Sequence, residues 1–275
     1  MSRDSYSVGY DQAAADFLGR RRANTHAAFF LAHLRPEMRL LDGGCGPGTM
    51  TTDLAKIVAP AEVIGIDIEP SQIKLARTTA AKSGVSNVRF EVSDLYSLPF
   101  PDESFDAAFL HGVLEHLSDP VRGLREVLRV LKRGGVLGAR HADFGGFLLE
   151  PAPAPLDQFV PLFERLMIHN GADPRAGRHQ LRWLTEAGFT RIEMSASYDC
   201  WTSTPEQKRE SARFLQSLVS DSDFARQVLA AGMADRDLLE QLRLAFADWE
   251  KNPVSFAAEA WSEAVAWNTK YAEGD

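Results

Sequence analysis

The residues with the clearest chemical potential lie in Leu41-Asp42-Gly43-Gly44-Cys45-Gly46-Pro47-Gly48, where a strand end, a run of glycines and a helix start coincide. Glycines let a ligand approach the backbone closely, and the free N–H groups of a helix N-terminus receive a carboxylate or a phosphate. A phosphate-cradling P-loop would end in Gly-Lys-Ser/Thr, but Gly48 is followed by Thr49-Met50. A dinucleotide fingerprint would read Gly-x-Gly-x-x-Gly, but here the glycines stand as Gly44-x-Gly46-x-Gly48. Asp67 lies 19 residues beyond Gly48, at the end of the next apolar run. A carboxylate there accepts hydrogen bonds from both hydroxyls of a ribose, and this signal alone fits a nicotinamide dinucleotide as well as another adenosine-bearing cofactor. Ser93-Asp94-Leu95 closes a third run, adding an acceptor for an adenine amino group and an apolar wall for its ring.

Alternating strands and helices must hold these residues. Between 38 and 140, short apolar runs alternate with amphipathic segments, the pattern of βαβ units in a parallel sheet. Strands are predicted at 38–42, 62–66, 88–92, 105–110 and 136–140. Pro99 and Pro101 keep the fourth from starting earlier. Met50, Leu54, Ile57 and Val58 mark the first connecting helix, 71–83 the second, and Asp119-Pro120 caps the third. Gly145-Gly146 and the prolines at 151, 153 and 155 predict that the chain then leaves the sheet. A short helix at 159–167 follows, then a helix at 178–187, a strand at 191–196 and a helical block at 204–249. The tail from Pro253 is ambiguous, since Phe256 to Trp261 fits a helix or an edge strand, the last of the sheet, and local propensity favours helix. Residues 11–34 read as helical, with Arg20-Arg21-Arg22 as a solvated face.

With 30 Lys+Arg against 38 Asp+Glu the net charge is −8, which offers no footprint for a phosphate backbone or an anionic membrane. Cys45 and Cys200 cannot build a disulfide framework or a multi-thiolate zinc site, which fits a reducing compartment. The polar start Met1-Ser2-Arg3-Asp4 has no signal-peptide core and no stretch reaches the roughly 20 apolar residues of a membrane span, so a cytoplasmic location is expected. Glu115 and His116 are adjacent on a helix and point apart, so no metal site is expected.

Asp42-x-Gly44-x-Gly46-x-Gly48, Asp67, Asp94 and Phe105-Asp106, in that order, resemble the motifs of class I S-adenosylmethionine-dependent methyltransferases. Residues 98–106, Val113-Leu114-Glu115-His116-Leu117 and Arg129 to Gly135 are similar to the ubiquinone/menaquinone C-methyltransferase group. Gly43 departs from the pattern, which usually has a branched apolar residue there, and is expected to loosen the strand end. The resemblance implies an α/β fold with a Rossmann-like, doubly wound, mostly parallel seven-stranded sheet and added helical cap and lid segments. Its divisions are expected at 1–35 (cap), 36–143 (core), 144–176 (insertion), 177–200 (core continued), 201–252 (lid) and 253–275.

The resemblance further implies S-adenosylmethionine as cofactor, S-adenosylhomocysteine as product, and no metal. Gly44, Cys45, Gly46 and Gly48 would lie against the methionine moiety, with Asp42 and Gln72 nearby. Asp67 would hold the ribose, Ile68 would pack on adenine, and Ser93, Asp94 and Leu95 would meet its edge. Tyr10 would close over the sulfonium and His111 would sit beside it. Cys45 also reads as a small turn-filling residue, and Asp42 as a turn stabiliser.

Methyl transfer needs alignment and exclusion of water, and a general base only where the acceptor must lose a proton. Ligands of an open α/β sheet bind beyond the carboxyl ends of its strands, so His111, His141 and Asp143 are the candidate bases. His141 could equally be a polar strand-end residue and Asp143 a cap before Gly145. The cap segments would enclose a small-molecule substrate. Residues 111–114 read His-Gly-Val-Leu rather than the Asn/Asp-Pro-Pro-aromatic run of nucleic-acid amino-methyltransferases, which with the charge disfavours DNA and RNA. A cyclisation or rearrangement around a bound cofactor, a non-catalytic binding protein and a nicotinamide dehydrogenase are the alternatives. The chain is expected as a monomer or homodimer.

Overall fold

A computed structural model describes residues 6–269; the outermost residues of the predicted 1–35 and 253–275 segments lie outside the described residues. The chain opens with α1 (Gln12–Leu18), α2 (Ala23–His26) and α3 (Ala28–Leu31) rather than one helix. Asp11 caps α1 by accepting from the Ala14 N–H at 2.9 Å. The break arises because Asp53 claims the next turn, accepting from Arg22 Nη2 at 3.0 Å and from the Ala23 N–H at 3.3 Å.

The alternating section runs β1 (Leu40–Gly43), α4 (Thr49–Val58), β2 (Val63–Asp67), α5 (Pro70–Ser83), β3 (Val88–Val92), β4 (Phe105–His111), α6 (Pro120–Val130) and β5 (Leu131–Glu150). Then come α7 (Phe159–His169), α8 (Ala176–Ala187), β6 (Arg191–Cys200), α9 (Pro205–Leu218), α10 (Asp223–Ala230), α11 (Arg236–Lys251) and β7 (Phe256–Trp267). The strands form one seven-stranded sheet in the order β3-β2-β1-β4-β5-β7-β6. It is parallel from β3 to β5, while β7 runs antiparallel to both its neighbours.

Each central strand is apolar on both faces, as a sheet covered on both sides requires. Leu40, Val63, Ala107 and Phe109 pack with Phe30, Leu54 and Val58 on one face. Leu41, Ile64, Ala108 and Leu110 pack with Leu124, Val127 and Leu184 on the other. A separate apolar core gathers α7, α9, α10 and α11 around Phe159, Phe163, Phe224, Phe246 and Trp249. Among the described residues no helix is long and apolar enough to cross a membrane.

Three expectations change. The fifth strand does not stop near 140, because β5 continues past Gly145-Gly146 with a shift of register between Asp143 and Leu148. The glycines that predict a departure thus form a bulge, and β7 supplies pairing partners on its far side. The tail is a strand, neither a helix nor an edge strand, since β7 lies between β5 and β6. The alternation that fits either is decided by the slot between β5 and β6, where β7 satisfies its backbone on both edges. Gly43 does not loosen the strand end: it pairs in register with Ile66 and Leu110. A Cβ there would stand 2.5 Å from Leu110 Cδ2, so the neighbouring leucine occupies that volume.

Candidate active site

The order of parallel strands reverses between β1 and β4, and a crevice opens beyond their carboxyl ends at such a switch point. A cleft lies there. It brings together Tyr10, Gly44, Cys45, Gly46, Asp67, Ile68, Gln72, Ser93, Asp94, Leu95 and His111 from the predicted set.

The glycine turn is shaped by its surroundings. Gly44 has φ +70°, and a Cβ there would lie 2.4 Å from Val113 Cγ2. Gly48 has φ +77°, and a Cβ would lie 2.7 Å from Ala76 Cβ, so this glycine serves the packing of α4 on α5. The Gly46 N–H donates to Asp67 Oδ2 at 2.9 Å, and the Glu69 N–H to Oδ1 at 2.9 Å. Asp67 is thereby fixed at the cleft, and a carboxylate retains lone pairs beyond these two bonds. Burial raises its pKa, opposed by the Glu69 and Gly46 N–H bonds. Asp94 Oδ1 accepts from the Tyr96 N–H at 2.8 Å. Ile68 presents an exposed apolar side chain. Gln72 is buried, and its Oε1 meets no partner among the described residues.

Asp42 and Gly48 stand behind the cleft rather than in its wall. Asp42 is buried and accepts from Thr51 Oγ1 at 2.6 Å. Burial pushes its pKa up from 3.8 to about 7, against the Thr51 hydrogen bond. Ionising this raised group costs the folded state, so its contribution is full at low pH and is lost as pH rises from about 4 to about 7. Asp42→Asn is expected to flatten the stability profile in that window by up to about 1.4 kcal/mol per pH unit. Urea unfolding at pH 5 and pH 7 measures it, and an unchanged slope refutes the assignment. Burial also raises the Cys45 thiol well above its ordinary value, which suits a turn filler and not a nucleophile.

The candidate bases are disposed very differently. His111 lines the cleft with both ring nitrogens facing guanidiniums: Arg140 Nη1 lies 3.0 Å from Nε2 and Arg21 Nη1 3.5 Å from Nδ1. Burial, then Arg21 and Arg140, hold its pKa well below the ordinary value. The ring is neutral with Nε2 already accepting, a poor proton acceptor. His141 is fully buried and outside the cleft, with Nδ1 2.8 Å from Glu115 Oε2. Burial pushes Glu115 up, but the charge and hydrogen bond of His141 outweigh it, and the carboxyl titrates below its usual range. Asp143 also lies outside the cleft, paired at 2.7 Å through each oxygen with Arg178. The structure therefore does not bring His141 and Asp143 to the site.

Sequence reasoning missed Arg21, Tyr6 and Glu259. Arg20 and Arg22 are solvated as the basic run predicts, but Arg21 turns inward over the Trp261 ring at 5.3 Å and lines the cleft. Tyr6 packs edge-on against His116, 4.6 Å between centroids. Glu259 is buried on β7; carboxylates recurring in a strand of alanines were the available signal.

A methyltransferase-domain family profile matches residues 34–168. An uncharacterised methyltransferase of Schizosaccharomyces pombe is 33% identical over 228 residues, covering 79% of this chain and 81% of the relative. A probable methyltransferase of Aspergillus luteorubrus is 28% identical over 282 residues, covering 96% and 97%. Among solved structures, the [4+2]-cyclase SpnF superposes with a TM-score of 0.55 at 27% identity, covering 90% of this chain and 84% of that one. With the sheet order, the cleft at the β1/β4 switch point and these relatives together, the chain belongs to the S-adenosylmethionine-dependent methyltransferases.

Proposed function

We propose that the protein binds S-adenosylmethionine in the cleft beyond β1 and β4 and transfers its methyl group to a small organic molecule held behind it. The observation that carries this reading is the convergence of the glycine turn, Asp67, Ile68, Asp94 and Leu95 on one cleft. The orphaned Gln72 Oε1 beside the turn fits a polar head such as the ammonium of a methionine moiety. Asp67 accepts from the ribose hydroxyls, held in place by the Gly46 and Glu69 N–H groups. Ile68 and Leu95 flank the adenine and Asp94 takes its amino group. Tyr10, with its ring 5.1 Å from that of Tyr6, covers the reacting end and excludes water. His111, neutral and wedged between Arg21 and Arg140, positions rather than deprotonates.

When bound, S-adenosylmethionine supplies an electrophilic methyl on a sulfonium, so the chain's own task is orientation and exclusion of solvent. The net charge of −8 speaks for a small-molecule acceptor over a nucleic acid. Calorimetric titration with S-adenosylmethionine, S-adenosylhomocysteine and NAD tests the cofactor, with micromolar binding of the first two and none of NAD expected. Mass spectrometry of mixtures with candidate phenols, amines and quinones tests transfer, a gain of one methylene unit being the expected result.

The likeness to a [4+2]-cyclase supports a second reading, a cyclisation carried out with the cofactor bound but unspent. Rearranged product with no mass gain and no S-adenosylhomocysteine would favour it.

A further inference from the structure

Tyr6, Leu18, Arg21, Gly112 and His116 line both the cleft and a second cavity behind it. Its walls are aromatic. Phe17 stacks on Phe214 at 4.1 Å, Phe147 meets Trp201 at 5.2 Å, and Phe144 meets Phe163 at 4.8 Å between centroids. Such walls favour a flat ring system, through offset and edge-to-face contacts.

Two polar groups on β7 lie in this apolar lining. Glu259 is 5% exposed, and among the described residues no hydrogen-bond donor reaches its carboxyl. Trp261, two residues on and in the same lining, has an indole N–H with no partner among the described residues. Glu263, on the same face of the strand, shows what the fold provides where a carboxylate is only structural. It accepts from Arg140 Nε at 3.2 Å, from Ser195 Oγ at 2.9 Å and from Ser197 Oγ at 2.6 Å. Leaving a buried carboxyl without donors is costly, and such groups mark sites completed by a ligand. The other carboxyl of the cavity, Glu115, is committed to His141.

We propose that this cavity takes a flat, apolar aromatic molecule bearing a hydroxyl group, and that Glu259 accepts the hydroxyl proton as the oxygen is methylated. The proposal rests on the methyl-transfer reading above. The O–H bond breaks and its proton passes to a carboxylate oxygen of Glu259. An oxygen lone pair forms the bond to the methyl carbon, and the electron pair of the carbon–sulfur bond goes to sulfur. The products are the aryl methyl ether and S-adenosylhomocysteine, and Glu259 returns its proton to solvent.

Burial pushes Glu259 up from 4.5 to about 8, with Arg21 and Arg140 lowering it and Asp199 and Glu115 raising it. Tyr6 and His116 complete the polar groups around the cavity. The accepting form is the carboxylate, so turnover rises as pH passes through about 8 and levels above.

The test uses the full chain with 2-naphthol and naphthalene as probes. With S-adenosylhomocysteine bound, tryptophan fluorescence should show 2-naphthol binding about tenfold or more tighter than naphthalene, with the preference growing through pH 8. Glu259→Leu should abolish the preference while still binding S-adenosylmethionine, which verifies its fold. Glu259→Gln keeps the shape and an acceptor but cannot take the proton. Its KM for 2-naphthol should rise no more than about tenfold, as the charge-assisted bond becomes a neutral one, while kcat falls about 100-fold and the pH step disappears. Equal affinity for the two probes in the wild type, or a preference surviving in Glu259→Leu, overturns the ligand assignment. Unchanged kcat in Glu259→Gln, or 2-naphthol bound with preference yet never methylated, overturns the proton transfer. Failure of the wild type to bind S-adenosylmethionine would instead remove the methyl-transfer reading, while the two-probe comparison, repeated without S-adenosylhomocysteine, still decides the ligand.

Discussion

Arg140→Met is expected to destabilise the fold by about 3–5 kcal/mol, because it strands the buried Glu263 carboxylate and removes the main partner of the half-buried Asp199. The Arg140 side chain is 1% exposed, and its five N–H donors are all used. Two go to Asp199, at 2.7 and 3.2 Å, one to Glu263 at 3.2 Å, one to Ser197 at 3.0 Å and one to His111 at 3.0 Å. The guanidinium also lies 4.4 Å from the centre of the Trp261 ring. These partners sit on β4, β6 and β7, so one side chain of β5 ties together the strands that make the far half of the sheet. Chemical denaturation with Arg140→Met and the double variant Arg140→Met/Glu263→Gln is the measurement. The double variant should recover part of the loss, since it removes one stranded charge. A loss below about 1 kcal/mol in the single variant would show that the network contributes little to stability.

Asp67→Ala is expected to weaken S-adenosylmethionine binding about 100-fold or more, the effect of losing charge-assisted hydrogen bonds to a ribose in a water-poor cleft. The same carboxylate holds the Gly46 N–H, so the substitution also frees the glycine turn that faces the rest of the ligand. Asp67→Asn, which keeps one acceptor oxygen, should fall between the two. Calorimetry together with thermal unfolding separates the causes: lost affinity at an unshifted melting temperature is the expected pattern. Undiminished affinity in Asp67→Ala would remove the proposed ribose site.

The cleft was legible in the sequence because its parts are local. A glycine turn, a carboxylate ending the next strand and Asp94 after the third each follow from short-range pattern, and parallel strands bring their ends to one side whatever covers the sheet. The apolar alternation of β1, β2 and β4 is equally local, since it expresses burial on both faces. The tail illustrates the opposite case. Phe256 to Trp261 carries a pattern that suits helix or strand, and the choice was made by the long-range pairing of β7 between β5 and β6.

The placement of the candidate bases is decided at long range in the same way. A histidine or aspartate at a strand end is visible in sequence, but what its side chain pairs with is set by residues far along the chain. Glu115 lies 26 residues from His141, and Arg178 lies 35 from Asp143. Arg21, 90 residues from His111, turns from a solvated run into the wall of the site. The sequence by itself thus determined the family, the layered sheet and the residues that line the cleft, all set by short repeats and strand-end chemistry. Only the tertiary structure decided which ionisable groups are spent on one another and which, like Glu259, are left facing the cavity, because desolvation and charge pairing depend on contacts between distant segments.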